Sequence, residues 1–238
     1  MSRFTYDLHV HSCLSPCAED DMTPATLAGM GKLNGLAIMA LTDHNTARNC
    51  PAFFKACEHY GICPVAGMEL TTAEDIHMLC LFPSLDEALA FDAFLDSKRF
   101  YYDNRPDIFG NQNIMDEDDR VIGQVPYLLS NATKLTVEDA IAEIRRRGAF
   151  ICPAHIDREA NSMLSVLGAI PEEYEFSCVE FRDPSKEAQI RERYGIRAPN
   201  SLYDSDSHSL YTLTEDVATL PLDVAVPTAE EVIRSLLS

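Results

Sequence analysis

Seven short apolar runs, separated mostly by stretches of helical periodicity, restrict the fold of this 238-residue chain more than any other feature. The runs lie at 5–10, 36–41, 62–66, 76–82, 149–153, 177–181 and 201–204, and the helical stretches at 24–34, 51–60, 85–97, 137–147, 186–193 and 229–237. Parallel strands need a long crossover, usually a helix, and strands covered on both faces read as continuous apolar runs. The order therefore predicts an α/β fold built as a seven-stranded barrel, with a doubly wound open sheet as the other arrangement of the same string. Thr23-Pro24 and Thr136 mark helix entries, and Gly61 and Gly148 mark helix ends.

The length suits one domain over 1–238. The alternation breaks at 100–133, where Asn104-Arg105-Pro106, Gly110-Asn111 and the acidic turn at 116–119 separate apolar stubs. This segment is read as an irregular insertion, either a lid over a site or a surface excursion. A formal charge of -19 disfavours long nucleic acid as a partner and leaves a small anion held through metal as a possible ligand. Eight cysteines without a C-x-x-C pair argue for buried apolar thiols in a reducing cytoplasm. No apolar run approaches the roughly 20 residues that span a bilayer.

Six of the seven histidines are read as falling at or just beyond the carboxyl ends of the proposed strands: His9 and His11 at the first, His44 after the second, His77 on the fourth, His155 after the fifth and His208 after the seventh. In parallel α/β architectures the carboxyl ends of the strands converge on one face, where ligands bind. In His9-Val10-His11, alternate strand residues share a face, so two imidazoles aim at one point. Alone, such a pair is more often packed or solvated than bound to metal. Here carboxylates accompany it at Asp43, Glu69, Asp157, Asp204 and Asp206. Mixed imidazole and carboxylate shells suit zinc, manganese or iron, and a shared glutamate is a means of bridging two ions. Glu69, expected to end the third strand, is the candidate bridge. Asp43 reads either as an outer partner that orients His44 or as a turn cap.

The segments Asp7-Leu8-His9-Val10-His11-Ser12, Met22-Thr23-Pro24, Leu41-Thr42-Asp43-His44-Asn45-Thr46, Gly67-Met68-Glu69, Ala154-His155 and Ser205-Asp206-Ser207-His208 resemble, in order, the motifs of the PHP family (polymerase and histidinol phosphatase domain). The resemblance implies a distorted (β/α)7 barrel with two or three divalent ions (Zn, Mn or Fe) on one face, and phosphoester hydrolysis by a hydroxide bridging the ions. It implies one ion at His9, His11, Glu69 and Asp206, and a second at Glu69, His77 and His155. A third would sit at His44, His208 and an acidic residue of the loop after His11. Glu19 falls at the family's position for that residue, with Asp20 and Cys17 as the other candidates. Arg158 matches a basic position that would bind the phosphate, the other reading being a solvated loop arginine. Glu69, Asp206 and Arg158 are thus the expected catalytic groups.

Other features take plainer readings. Arg145-Arg146-Arg147 complements a helix C-terminus, as does His59. Phe53-Phe54 and Phe91 to Phe94 follow core spacing. Tyr101-Tyr102 is the remaining aromatic pair, and stacking on a base is one use for it. The expected function is hydrolysis of a phosphomonoester, or of a cyclic or bis-phosphate, of a small metabolite or nucleotide. Nuclease action on short oligonucleotides, a non-catalytic metal-binding regulatory module and hydrolysis of a C–N bond are the alternatives.

Overall fold

Each of the seven apolar runs becomes a strand, and the six helical stretches become helices within three residues of the expected ends. The computed structural model describes residues 2–213 and 218–238. The order is β1 (Ser2–Asp7), α1 (Pro24–Leu33), β2 (Ile38–Leu41), α2 (Cys50–Tyr60), β3 (Cys63–Thr71), β4 (His77–Phe82), α3 (Leu85–Leu95), α4 (Pro106–Phe109), β5 (Asn113–Met115), β6 (Val121–Gln124), α5 (Val137–Arg146), β7 (Phe150–Pro153), α6 (Met163–Leu167), β8 (Cys178–Phe181), α7 (Glu187–Tyr194), β9 (Asn200–Tyr203), β10 (Ala218–Leu222) and α8 (Ala229–Leu237). Local chemistry sets the helix ends: Thr136 Oγ1 accepts the Asp139 N–H at 3.1 Å, and Gly61 closes α2 at φ +68°.

Strands β10, β1, β2, β3, β4 and β7 form one sheet in that order, and β8 pairs with β9. Beyond their ends, Ile156 N–H donates to Glu180 O at 2.9 Å, joining β7 to β8. Val10 bridges Ser207 in parallel, and His11 N–H donates to Ser207 O at 3.0 Å, returning the β9 end to the β1 end. The sheet thus curls into a distorted barrel.

One strand departs from the expected parallel order. β4 runs antiparallel to both β3 and β7, because the tight turn at 72–76 reverses the chain, with Thr72 N–H donating to Ile76 O at 2.9 Å and Asp75 N–H donating to Thr72 O at 3.0 Å. His77 therefore stands at the start of its strand. The reversal brings it to the same rim as the carboxyl ends of β2 and β3.

Two apolar sets cover the two faces of the sheet. Met39, Leu41, Ala66, Met68, Met78 and Ile151 pack outward with Leu27, Phe53, Phe91 and Ile144 of the helices. Ile38, Val65, Leu79, Leu81, Phe150 and Cys178 face inward, against Val232, Ile233 and Leu236 of α8. Strand alternation then places Glu69 on the inner face with Val65, His77 with Leu79, and Glu180 with Cys178. Gly67 is required between them, since a Cβ there would stand 2.6 Å from Thr42 Cγ2.

The residues at 100–133 hold α4 and the β5–β6 hairpin. They pack on the loop after His11: Asn113 N–H donates to Cys13 O at 3.0 Å, and Leu14 is buried with Val125 and Leu129. Among the described residues no helix is long and apolar enough to cross a membrane.

Candidate metal centre

Six imidazoles and two carboxylates from separate strand ends meet on one side of the barrel. Glu69, 1 % exposed, lies at their middle. Its Oε1 is 2.8 Å from His77 Nδ1, 2.8 Å from His155 Nε2 and 3.5 Å from His9 Nε2; its Oε2 is 3.1 Å from His44 Nδ1 and 3.2 Å from His11 Nε2. Asp206 Oδ1 is 3.4 Å from His9 Nε2 and 3.3 Å from His11 Nε2. His208 stacks on His11 with ring centres 4.2 Å apart. Ligand atoms within 4.8 Å of one another form three overlapping groups: His9, His11, Glu69 and Asp206; His44, Glu69 and His77; and His11, His44 and His208.

Outer partners fix which imidazole nitrogen faces the centre. His9 Nδ1 lies 2.9 Å from Glu180 Oε1, so it carries the proton and leaves Nε2 turned inward. His11 Nδ1 lies 2.9 Å from Ser15 Oγ, whose own proton goes to Asp43 Oδ1 at 2.7 Å. His208 Nδ1 donates to Asp206 O at 2.9 Å. Glu180 also accepts the backbone N–H of His155 at 2.7 Å. That bond secures a strained residue: His155 has φ +28° and Asp206 φ +45°, left-handed conformations that cost side-chain-bearing residues about 1–3 kcal/mol each.

The charges are arranged for a positive centre. Burial works against charge on His9, but Glu180, Glu69 and Asp206 outweigh it and hold the imidazolium well above its usual range. Burial also opposes charge on His11, but the adjacent carboxylates of Asp206 and Glu69 prevail and raise it to about 9. Burial keeps His44 neutral far below the ordinary range, and burial with the nearby His11 lowers His208 to about 4. Glu69 and Asp206 resist the upward push of burial because His77, His9 and His44 surround the first and His9 and His11 the second.

Divalent ions fit these residues. Both carboxylate oxygens of Asp206 are buried and accept no hydrogen bond, although Arg158 Nη1 approaches Oδ2 within 2.9 Å at an angle unsuited to one. His44 Nδ1 is also buried without a hydrogen bond. Orphaned acceptors aimed into a shared space, in a set of nitrogen and oxygen donors, are what several cations require.

The sequence-derived residues are not all gathered. His9, His11, His44, Glu69, His77, His155, Asp206 and His208 come together, and Arg158 reaches Asp206 from the rim. Glu19 does not join: its loop turns outward, its side chain is exposed, and its N–H donates to His208 O at 2.9 Å. Asp20 is also directed away, to Asn111 Nδ2 at 2.8 Å. Cys17 stays at the rim, where the atoms packed around its thiol, then the charge of Glu69, raise it to about 12. The third group is completed instead by His11. Asp43 does not hold the His44 ring; it accepts Ser12 N–H at 2.7 Å and Ser12 Oγ–H at 2.6 Å, and acts on His11 through Ser15. Glu69 does not end β3, which continues to Thr71 because β4 pairs with it that far.

Glu180 and Ser15 are functional neighbours the motifs did not reveal. An acid in the middle of the apolar run Cys178-Val179-Glu180-Phe181 was the available signal, since a buried carboxylate without a partner is costly.

The family model described as PHP domain matches residues 7–149. No curated protein matches the chain by sequence. Among solved structures, the lesion-specific endonuclease Q of Pyrococcus furiosus superposes with TM-score 0.65 at 19% identity, over 99% of this chain and 56% of that one. This chain therefore spans little more than half of endonuclease Q. An amidohydrolase from Chromobacterium violaceum gives TM-score 0.58 at 17% identity, over 97% and 96% of the two chains. A protein assigned as a metal-dependent phosphoesterase, from Bifidobacterium adolescentis, gives 0.56 at 17% identity, over 85% and 87%. At these identities the likeness is one of fold.

Proposed function

Because the chain belongs to the PHP domain family, we propose that it is a metal-dependent phosphoesterase acting on a phosphomonoester, or a cyclic or bis-phosphate, of a small metabolite or nucleotide. The observation that carries this is Asp206, whose two buried oxygens accept no hydrogen bond beside a glutamate shared by five imidazoles. A purely structural role would leave no reason to bury an ionised carboxylate whose oxygens accept no hydrogen bond.

His9, His11, Glu69 and Asp206 would hold one ion; Glu69, His77 and His155, with His44 alongside, a second; and His11, His44 and His208 a third. Such ions, when bound, supply water of lowered pKa and positive charge opposite the phosphoryl oxygens. Glu180 and Ser15 hold the Nδ1 atoms of His9 and His11, so their Nε2 atoms point inward, where a bound ion would displace the proton that each carries in the metal-free protein. Asp206 stays ionised far below the usual carboxylate range, which suits ligation rather than proton transfer. Arg158, with its side chain 47 % exposed, is free to swing from Asp206 to an anionic oxygen of the substrate.

Eight free thiols accord with a reducing cytoplasm, the compartment we assign. The net charge of -19 favours a small anion over a long polyanion. Likeness of fold to endonuclease Q keeps cleavage of short oligonucleotides as the second reading. The test is phosphate release from mononucleotides, sugar phosphates, bisphosphates and cyclic phosphates, with manganese, zinc or iron(II). We expect metal-dependent release that Asp206→Ala abolishes. Cleavage confined to oligonucleotides would remove the small-molecule reading, and an Asp206→Ala protein as active as the parent would remove catalysis at this centre.

A further inference from the structure

Beside the centre, on the Arg158 side, lies a cleft of about 380 Å³. It shares a wall with the ligand cluster: Ile156 directly follows His155, and Arg158 lines the cleft while its Nη1 stands 2.9 Å from Asp206 Oδ2. Ile156, Leu164, Ile190 and Tyr194 supply the apolar and aromatic part of its lining. Its size is near the lower end of small-ligand pockets, roughly 300 to 1,000 Å³.

In a protein of net charge -19 the cleft is balanced, with Arg158 and Arg193 lining it beside Asp157 and Glu159. Arg193 forms no ion pair among the described residues; its guanidinium stands 5.1 Å from the Tyr194 ring centre. Of the two carboxylates on the wall, Asp157 accepts the N–H groups of Arg182 and Asp183, each at 2.9 Å, and Glu159 is exposed. An arginine beside an aromatic face, with no acidic partner, is a recognition group for a planar anion.

We infer that this cleft receives the leaving group of the substrate, and that its preferred occupant is an aromatic or heteroaromatic body bearing a second negative charge. The ring lies against Tyr194, Leu164 and Ile190; the second charge meets Arg193; and the phosphoryl group being cleaved lies toward Arg158 and Asp206. This inference rests on the phosphoesterase reading and narrows it. It separates the roles of the two arginines, Arg158 serving the reacting phosphate and Arg193 the distal anion.

The experiment compares kcat/KM of the manganese-loaded full chain for ethyl phosphate, benzyl phosphate and 4-carboxybenzyl phosphate, whose alcohol leaving groups differ in ring and in charge. The expected order is carboxybenzyl above benzyl above ethyl. Arg193→Ala should lower the carboxybenzyl-to-benzyl ratio about fivefold, the scale of one charge-assisted contact at a partly open site, and Arg193→Lys should restore part of it. Tyr194→Ala should lower the benzyl-to-ethyl ratio. Arg234→Ala, on the far helix α8, should leave all three rates as they are. Equal rates for the three esters, or an unchanged carboxybenzyl-to-benzyl ratio in Arg193→Ala, would overturn the assignment of the cleft while leaving the phosphoesterase reading intact. Absence of phosphate release from all three by fully metal-loaded protein would overturn that reading and this inference with it.

Discussion

Exchanging Glu69 for glutamine keeps the shape of a side chain that is 1 % exposed and removes its charge. Its oxygens face five imidazole nitrogens between 2.8 and 3.5 Å. At least two of those rings, His9 and His11, are held in their charged form in the metal-free protein. Removing one member of a buried charge pair costs about 3–5 kcal/mol. The amide retains one good acceptor and gains a donor, which places the expected loss near the lower bound, about 3 kcal/mol in the metal-free protein. The consequence for ions is sharper. Glu69 belongs to two of the three ligand groups, whereas His208 belongs to one. Glu69→Gln should therefore lose two equivalents of bound manganese, and His208→Ala one. Elemental analysis after loading and dialysis reads the bound manganese, and urea unfolding in chelator reads the stability. Full metal content in Glu69→Gln, or the same single loss in both variants, would refute the shared-bridge geometry.

Three further outcomes are expected. Glu180→Gln should weaken metal binding about 10- to 100-fold, with Glu180→Asp intermediate, because the outer carboxylate sets the His9 tautomer and holds His155 in place; calorimetric titration with zinc would detect it, and unaltered affinity would dismiss the role. In chelator, the stability supplied by charged His11 should be complete below an imidazole's ordinary value of about 6.5 and be lost as pH rises through about 9, while that supplied by neutral His208 should be present at neutral pH and be lost as pH falls through about 4. The urea midpoint should thus fall on both sides of neutrality, and a flat profile from neutral to alkaline pH would contradict the His11 environment. Gly110→Ala should destabilise the fold by about 1–3 kcal/mol, since the residue has φ +93° and a Cβ would stand 2.6 Å from Pro16 O; a thermal scan showing no change would mean that the insertion is not seated on the rim loop.

Most of what positions the centre was legible in the chain because strand patterning is local. His9, His11, His44, His155 and His208 follow strands read as parallel, so their convergence followed from parallel order alone. His77 met them for another reason: the short turn at 72–76 reverses β4, and a histidine expected along a parallel strand opens an antiparallel one. The hairpin β5–β6 and edge strand β10 were not legible, because Val121–Gln124 is short and carries Gly, and Ala218–Leu222 is interrupted by Pro221. The loop after His11 was the other limit. Its course is set by long-range bonds from Asp43 to Ser12 and Ser15, which no spacing rule encodes, and those bonds turn Glu19 outward. Glu180 escaped notice because its motif is a single acid in an otherwise ordinary strand.

Anomalous diffraction at the manganese edge from crystals grown with manganese and phosphate tests the central claim most directly. The account predicts manganese peaks within coordination distance of His9, His11, Glu69 and Asp206, of His77 and His155, and of His44 and His208, with phosphate against them on the Arg158 side. A map with these side chains ordered and no anomalous peak among them would contradict it.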